Sequence, residues 1–218
     1  MLYKDILGSK EVVDYYEIGT LILGKQGFID HSPVHTRLVA ERAAKILDTL
    51  GYRERDVELA QIAGYLHDIG NCINRSSHAE YGAIIASQIL KDADMEMMDR
   101  VQVVSSIANH EETEETVPDP ITAAIIIADK TDVRRTRVRE RDEAKFNDND
   151  WVNKAAVSTE LKCDASARTI SLTIGIDESV LSVSDYIEMF TGRANMCLRA
   201  AETLKVTMEV FINDQKVL

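Results

Sequence analysis

Through the first two-thirds of the chain, apolar residues recur at helical spacing. Between Val34 and Leu50, the side chains of Leu38, Val39, Ala43, Ile46 and Leu50 share one face, and Gly51 ends the run. A second helix is expected from an Asp56 N-cap through Leu59, Ile62, Ala63 and Leu66 to the pair His67-Asp68, with Gly70 placed to stop it. Ser77-His78-Ala79-Glu80 has the capping-box pattern, which predicts a third helix with His78 in its first turn, continuing through Tyr81, Ile85 and Ile89. A fourth is expected after Asp94, carrying Val103, Val104 and Ile107 towards His110. Asp119-Pro120 reads as N-cap and first helical position of a fifth. That helix runs through Ile121, Ala124, Ile125 and Ala128 to Asp129, with an exposed continuation from Arg134 onward.

After Arg141 the pattern changes. Residues 146–150 (Phe-Asn-Asp-Asn-Asp) are polar and turn-forming and read as a linker. Residues 156–163 and 168–176 are rich in β-branched side chains with partial alternation, a hairpin signal. An amphipathic helix over 185–204 and a strand over 206–212 follow. The expected fold is mainly α: a helical domain over residues 1–145, then a small C-terminal β-β-α-β unit over 146–218, α+β overall.

Composition narrows the field. At 218 residues and 45% hydrophobic content the chain can bury one substantial core. A net charge of −12 argues against nucleic acid and anionic membranes as partners. Cys72, Cys163 and Cys197 show neither a disulfide framework nor Cys-x-x-Cys spacing, which points to a reducing, cytoplasmic setting. Lys4, Asp5, Lys10, Glu11, Asp14 and Glu17 exclude a signal peptide there, and the longest uncharged apolar stretch, residues 120–128, is too short to span a bilayer.

Against that background the histidines stand out. Of five, His35, His67, His78 and His110 fall at or near helix ends or on apolar helix faces, Asp68 adjoins His67, and Asp129 sits inside an apolar segment. A carboxylate there requires compensation, and a metal would provide it. One histidine on an apolar face is ordinarily a satisfied core residue; candidates in five successive helices are a different matter, because a bundle can point them at one centre. Imidazole and carboxylate donors suit divalent first-row metals such as manganese, iron, cobalt or zinc, and no thiolate is spaced for a structural zinc site. His31 precedes His35 by four residues with Pro33 between, and reads as a loop histidine or a supporting group.

His35-x-x-Leu-Val-Ala, Leu66-His67-Asp68-Ile69-Gly70 and Ile126-Ile127-Ala128-Asp129-Lys130-x-Asp132 together resemble the motifs of the HD-domain superfamily of metal-dependent phosphohydrolases, over roughly residues 30 to 140. The resemblance implies an HD-type helical bundle in which His35, His67, Asp68 and Asp129 hold one metal. His78 and His110 resemble the ligands of a second, with Asp68 as the bridge. It implies two divalent ions, manganese or iron first, with cobalt, nickel, zinc or magnesium also suited. It further implies a metal-bound hydroxide attacking a phosphate ester or anhydride of a nucleotide or other small phosphorylated metabolite, with Asp68 and His67 at the reacting centre. Two departures matter. Asn109-His110-Glu111-Glu112 lacks the Gly-Tyr-Pro signature of cyclic-dinucleotide phosphodiesterases, and Asn71 stands where many relatives carry lysine, a charge that Lys130 could restore.

For substrate contacts the sequence offers Arg75, in the loop before His78, and Lys130 with Arg134, four residues apart and expected to face a bound phosphate. The remaining arginines of that run, Arg135, Arg137, Arg139 and Arg141, read as a solvated helix face, and Glu111, Glu112, Glu114 and Glu115 as an exposed acidic loop. The same donor set would serve a di-iron HD-type oxygenase, and a ligand-sensing module without turnover is a third reading. The C-terminal unit is expected to cover the site or to form a homodimer interface.

Overall fold

A computed structural model describes residues 2–111 and 117–218. Its helices are α1 (Tyr3–Leu7), α2 (Lys10–Lys25), α3 (Pro33–Thr49), α4 (Glu54–Leu66), α5 (His78–Asp92), α6 (Met97–Ala108), α7 (Pro120–Lys130), α8 (Asp148–Ala155) and α9 (Val183–Leu204). Four strands complete it: β1 (Ala156–Asp164), β2 (Thr169–Ile176), β3 (Thr207–Ile212) and β4 (Gln215–Lys216). The architecture is mainly helical with one small sheet, as expected.

At the centre lies α7, buried at every position from Ile121 to Lys130. A helix without a polar face must be covered all round, and α3 and α9 pack against it from opposite parts of the chain. Asp119 caps its start by accepting from the amides of Ile121 and Thr122 at 2.8 and 3.0 Å. In the sheet, ordered β1-β2-β3-β4, β1 and β2 form the expected hairpin, while β2 and β3 are parallel, joined by α9 as a crossover. The alternate residues Ile170, Leu172, Ile174 and Ile176 of β2 are buried. The hydrophobic cluster does not stop at residue 145: it runs from Ile6 through α7 to Leu172 and Ile212.

Several local expectations need correction. The helix carrying His67 begins at Glu54 with Arg53 as N-cap, and Asp56 instead accepts from the Arg53 guanidinium at 2.7 and 2.9 Å. Ser77 is the N-cap residue of α5, but its side chain accepts no capping hydrogen bond. Gly70 does not end a helix; it lies in a 3-10 turn (Ile69–Cys72) pressed against α5, where a Cβ would collide with the carbonyl of His78 and the amide of Gly82. α7 stops at Lys130 rather than continuing through the arginines; Thr131 is its C-cap, with its hydroxyl donating to the Ile127 carbonyl at 2.6 Å. Residues 146–150 are not a linker: Asn147 and Asp150 form a capping box that starts α8. Finally, α2 packs on the turn after Asp68 and has no counterpart among the expected elements. Its buried stripe, Val12, Tyr16, Gly19 and Leu23, has helical spacing but mixes a tyrosine and a glycine with aliphatic residues. Among the described residues no helix is long and apolar enough to cross a membrane.

Candidate metal centre

Five segments end at one point. His35 lies in the first turn of α3, His67 caps the C-terminus of α4, Asp68 follows it, His78 opens α5, His110 comes two residues after α6, and Asp129 is near the end of α7. The four imidazoles stand edge-on in a row, His35 to His67 to His110 to His78, with ring centroids 5.3, 4.9 and 5.0 Å apart. The Asp68 carboxylate lies along that row. Its Oδ2 is 3.6 Å from His35 Nε2 and 3.3 Å from His67 Nε2, while its Oδ1 is 3.4 Å from His78 Nε2. Asp129 Oδ1 closes one end, 3.1 Å from His35 Nε2.

The hydrogen bonds behind the rings determine what the front atoms are. Nδ1 of His67, His78 and His110 meets the carbonyls of Gly64, Arg75 and Ile107 at 2.8, 2.9 and 2.7 Å. A carbonyl only accepts, so each Nδ1 carries the proton and each Nε2 of a neutral ring presents a lone pair. His78 Nε2 and His110 Nε2 thus face each other, lone pair to lone pair, at 3.1 Å. His35 is held in the same sense by a carboxylate, Nδ1 to Asp132 Oδ2 at 2.7 Å. Buried donors and acceptors are normally paired, yet His35 Nε2, His67 Nε2 and Asp68 Oδ2 are buried without a hydrogen-bond partner. Converging bare acceptors repel unless a cation sits among them. The residues therefore fit a metal, and three overlapping donor groups could hold one: His35-His67-Asp129, His67-Asp68-His110 and His78-His110-Glu111.

The electrostatics favour ionised carboxylates at Asp68 and Asp129 and neutral imidazoles at His78 and His110, the metal-binding forms. Burial pushes the His110 imidazole down to about 3, with His67 and His78 adding to the effect. Burial also lowers His78, despite the Asp68 carboxylate beside it. Burial would raise Asp68, but His67, His31 and His78 hold it well below the usual carboxylate range. Asp129 behaves likewise, with Lys130 the chief opponent of burial. His67 alone is drawn upward: burial resists its protonation, and the Asp68 carboxylate outweighs that.

Around the donors the structure rearranges the expected substrate contacts. A cavity of about 370 Å³ opens over Asp68 and Asp129 and is lined by Arg75, Lys130 and Glu111 among others. Arg75 and Lys130 both reach it. Arg134 does not, because the end of α7 turns the chain away; its guanidinium grips Asp132 through two hydrogen bonds of 2.6 and 2.8 Å, behind His35. Arg137, expected on a solvated face, is buried and lines the cavity, donating to the carbonyls of Asp30 and Asp132 at 2.9 and 2.8 Å. Glu111 is not part of an exposed loop: it turns inward, 2.8 Å from Lys130 Nζ and 3.7 Å from His78 Nε2. Glu112, Glu114 and Glu115 lie outside the described residues. Asn71 donates to Asp68 Oδ1 at 2.7 Å and so steadies the carboxylate without adding charge. His31 stays in the loop before α3, its Nδ1 on the Ile29 carbonyl at 2.7 Å, and lines the same cavity.

Two residues that the sequence reading named without a site role belong to the site. Asp132 orients His35, and Glu111 joins the third donor group; the signals were their places close to the candidate donors Asp129 and His110. The far wall of the cavity is made by the C-terminal unit, one of the two roles expected of it. It comes from beyond the motif region: Asn147, Asp148 and Asn149 at the start of α8, and Met189, Gly192, Arg193 and Met196 on α9.

Comparison with known proteins agrees with this geometry. Residues 34–134 match the model of the HD domain family. An uncharacterized protein of Methanocaldococcus jannaschii is 26% identical over 162 residues, 64% of this chain, and the match spans 62% of that protein's length.

Proposed function

We propose, from the match of residues 34–134 to the HD domain family, a family of metal-dependent hydrolases, that this protein is a phosphohydrolase acting on an ester or anhydride of a small phosphorylated metabolite, a nucleotide included. The observation that carries the proposal is the convergence of unpartnered Nε2 and carboxylate atoms beside two cations, Arg75 and Lys130. In this reading two divalent ions, manganese or iron, share the row of donors. His35, His67, Asp68 and Asp129 would hold one; Asp68, His78 and His110, with Glu111 adjacent, would hold the other. When bound, such ions act as Lewis acids and bring the pKa of a coordinated water towards neutrality.

The protein's own groups have separable tasks. Asp132, fixed by Arg134, sets the orientation of His35. Arg75 offers a planar pair of donors to phosphoryl oxygens. Lys130, held by Asp129 and Glu111 at 2.7 and 2.8 Å, offsets charge that develops on the leaving side. No thiol competes as nucleophile: burial pushes Cys197 up to about 12 and raises Cys72 as well.

The test uses the full chain, stripped by chelator and reloaded with manganese, iron or cobalt. Bound metal, a raised melting temperature on reloading, and phosphate release from at least one member of a panel of phosphorylated metabolites are expected. Asp68→Ala in folded protein should lose both metal and turnover, and retention of both would overturn the proposal. Oxygen uptake by iron-loaded protein without phosphate release would assign the di-iron oxygenase instead. A homodimer is a separate proposal, supported by the exposed edge strand β1, and light scattering of the full chain checks it.

A further inference from the structure

Four cations line the cavity, and three are already matched by acids. Arg75 lies 3.5 Å from Asp68 and 3.8 Å from Glu111; Lys130 is paired with Asp129 and Glu111; Arg137 is 3.6 Å from Asp132. Arg193 differs. Among the described residues it makes no ion pair, and its guanidinium donates to a neutral group, Asn149 Oδ1, at 2.6 Å. Asp148 shares the rim without approaching to ion-pair distance. A half-buried guanidinium at a cavity mouth has lost part of its hydration, and no charge in the fold returns it.

The neighbouring residues on α9 give an independent indication. Met189, Arg193 and Met196 are spaced four and three apart, so they share one face of the helix, and that face looks into the cavity. Between them stands Gly192, in the interior of a 22-residue helix. Glycine there costs roughly 0.5–1 kcal/mol relative to alanine. Nothing in the fold requires it, because a Cβ at Gly192 would meet no atom within 4 Å. The helix keeps open space over the cavity beside its unmatched cation.

We propose that α9 forms a second subsite in which Arg193 binds an anionic group at the far end of the substrate, with Met189, Met196 and the gap at Gly192 receiving the organic part between. The substrate class is then a phosphate ester whose organic part ends in a second anion, a carboxylate or another phosphate. This rests on the phosphohydrolase reading for the first phosphate only. Arg193 is a specificity residue: it touches the part of the substrate that does not react.

Binding of non-hydrolysable probes separates the two readings. Calorimetry on the manganese-loaded full chain compares n-alkylphosphonates with ω-carboxyalkylphosphonates of matched, increasing length. At one length the carboxylate should tighten binding about tenfold or more, a difference of about 1.4 kcal/mol. Arg193→Gln should bring that ratio close to one, Arg193→Lys should keep part of it, and Gly192→Leu should weaken the longer probes most. Circular dichroism and melting temperature confirm that each variant is folded, so a structural defect cannot account for a changed ratio. A ratio near one at every length in the unmodified protein, an unchanged ratio in Arg193→Gln, or no binding of either probe overturns the subsite. Phosphate release is scored separately: its absence on every substrate overturns the hydrolase reading while the binding ratio still decides Arg193.

Discussion

The inner and outer walls of the cavity are held in different ways. On the inner wall each of the four clustered imidazoles is fixed from behind by its Nδ1 bond, three to backbone carbonyls and one to Asp132, and the side chains come from helix ends packed around α7. On the outer wall Arg193 is tied by a single bond to an asparagine, and Gly192 contributes no side chain at all. Donors that share an ion need positions fixed to a fraction of an ångström. A group that grips the non-reacting end of a ligand needs reach more than rigidity. The difference explains why a family match over residues 34–134 speaks to metal-dependent hydrolysis in general but leaves the substrate open: the outer wall is built from residues beyond the match.

The comparison can be broken at the inner wall first. Asp68→Ala removes the carboxylate that lies along the whole row of imidazoles. Turnover should fall about a thousandfold or more, equivalent to the several kcal/mol a metal contributes to charge stabilisation. Elemental analysis and phosphate-release rates on the folded variant check this.

Next in size is the question of whether the two walls belong to one folding unit. Ile126 in α7 and Leu172 in β2 are both buried in the same hydrophobic cluster. Replacing either by alanine should cost roughly 2–5 kcal/mol and shift one common transition. Far-UV dichroism follows the helices, and the single tryptophan, Trp151 in α8, reports the C-terminal part. If the two probes separate, residues 1–145 and 146–218 are energetically distinct after all.

A smaller effect is expected from Asp132→Ala, which frees the back of His35 and leaves the cavity-lining Arg137 without its ion-pair partner. Metal affinity should drop by about 10- to 100-fold, the usual cost of losing a ligand's supporting carboxylate, as read by metal titration against a competing chelator. An unchanged affinity would mean that packing alone orients His35. The smallest change belongs to the outer wall: Gly192→Ala should stabilise α9 by up to about 1 kcal/mol, raising the melting temperature by about 2–4 °C. Destabilisation would show that the fold itself needs the glycine.

Much of the fold could be read from local pattern. The helices carrying His35, His67, His78, His110 and Asp129 follow from apolar periodicity, and the hairpin and crossover helix from β-branched runs and a second amphipathic stretch. What was missed has a common cause. The start of α8 and the role of Gly70 depend on a few hydrogen bonds or close approaches: Asn147 with Asp150, and Gly70 against His78. A few such contacts override a periodic trend without changing composition. The arginine run illustrates it best, since alternation with acids suggested a solvated face, while the chain reversal after Lys130 buries Arg137 and sends Arg134 to Asp132.

By itself, then, the sequence named six of the seven candidate donors and the order in which helices present them. Ligand chemistry is carried by residue type, and helix ends are marked by periodicity and its interruption. The tertiary structure decided which atoms of those residues are free. Only the carbonyls and the carboxylate behind the rings make each Nε2 a bare acceptor. It also decided that Glu111 and Arg137 turn inward, Arg134 turns away, and a helix more than fifty residues beyond the last candidate donor contributes to the outer wall. Those outcomes depend on contacts between residues far apart in the chain, which no local pattern encodes.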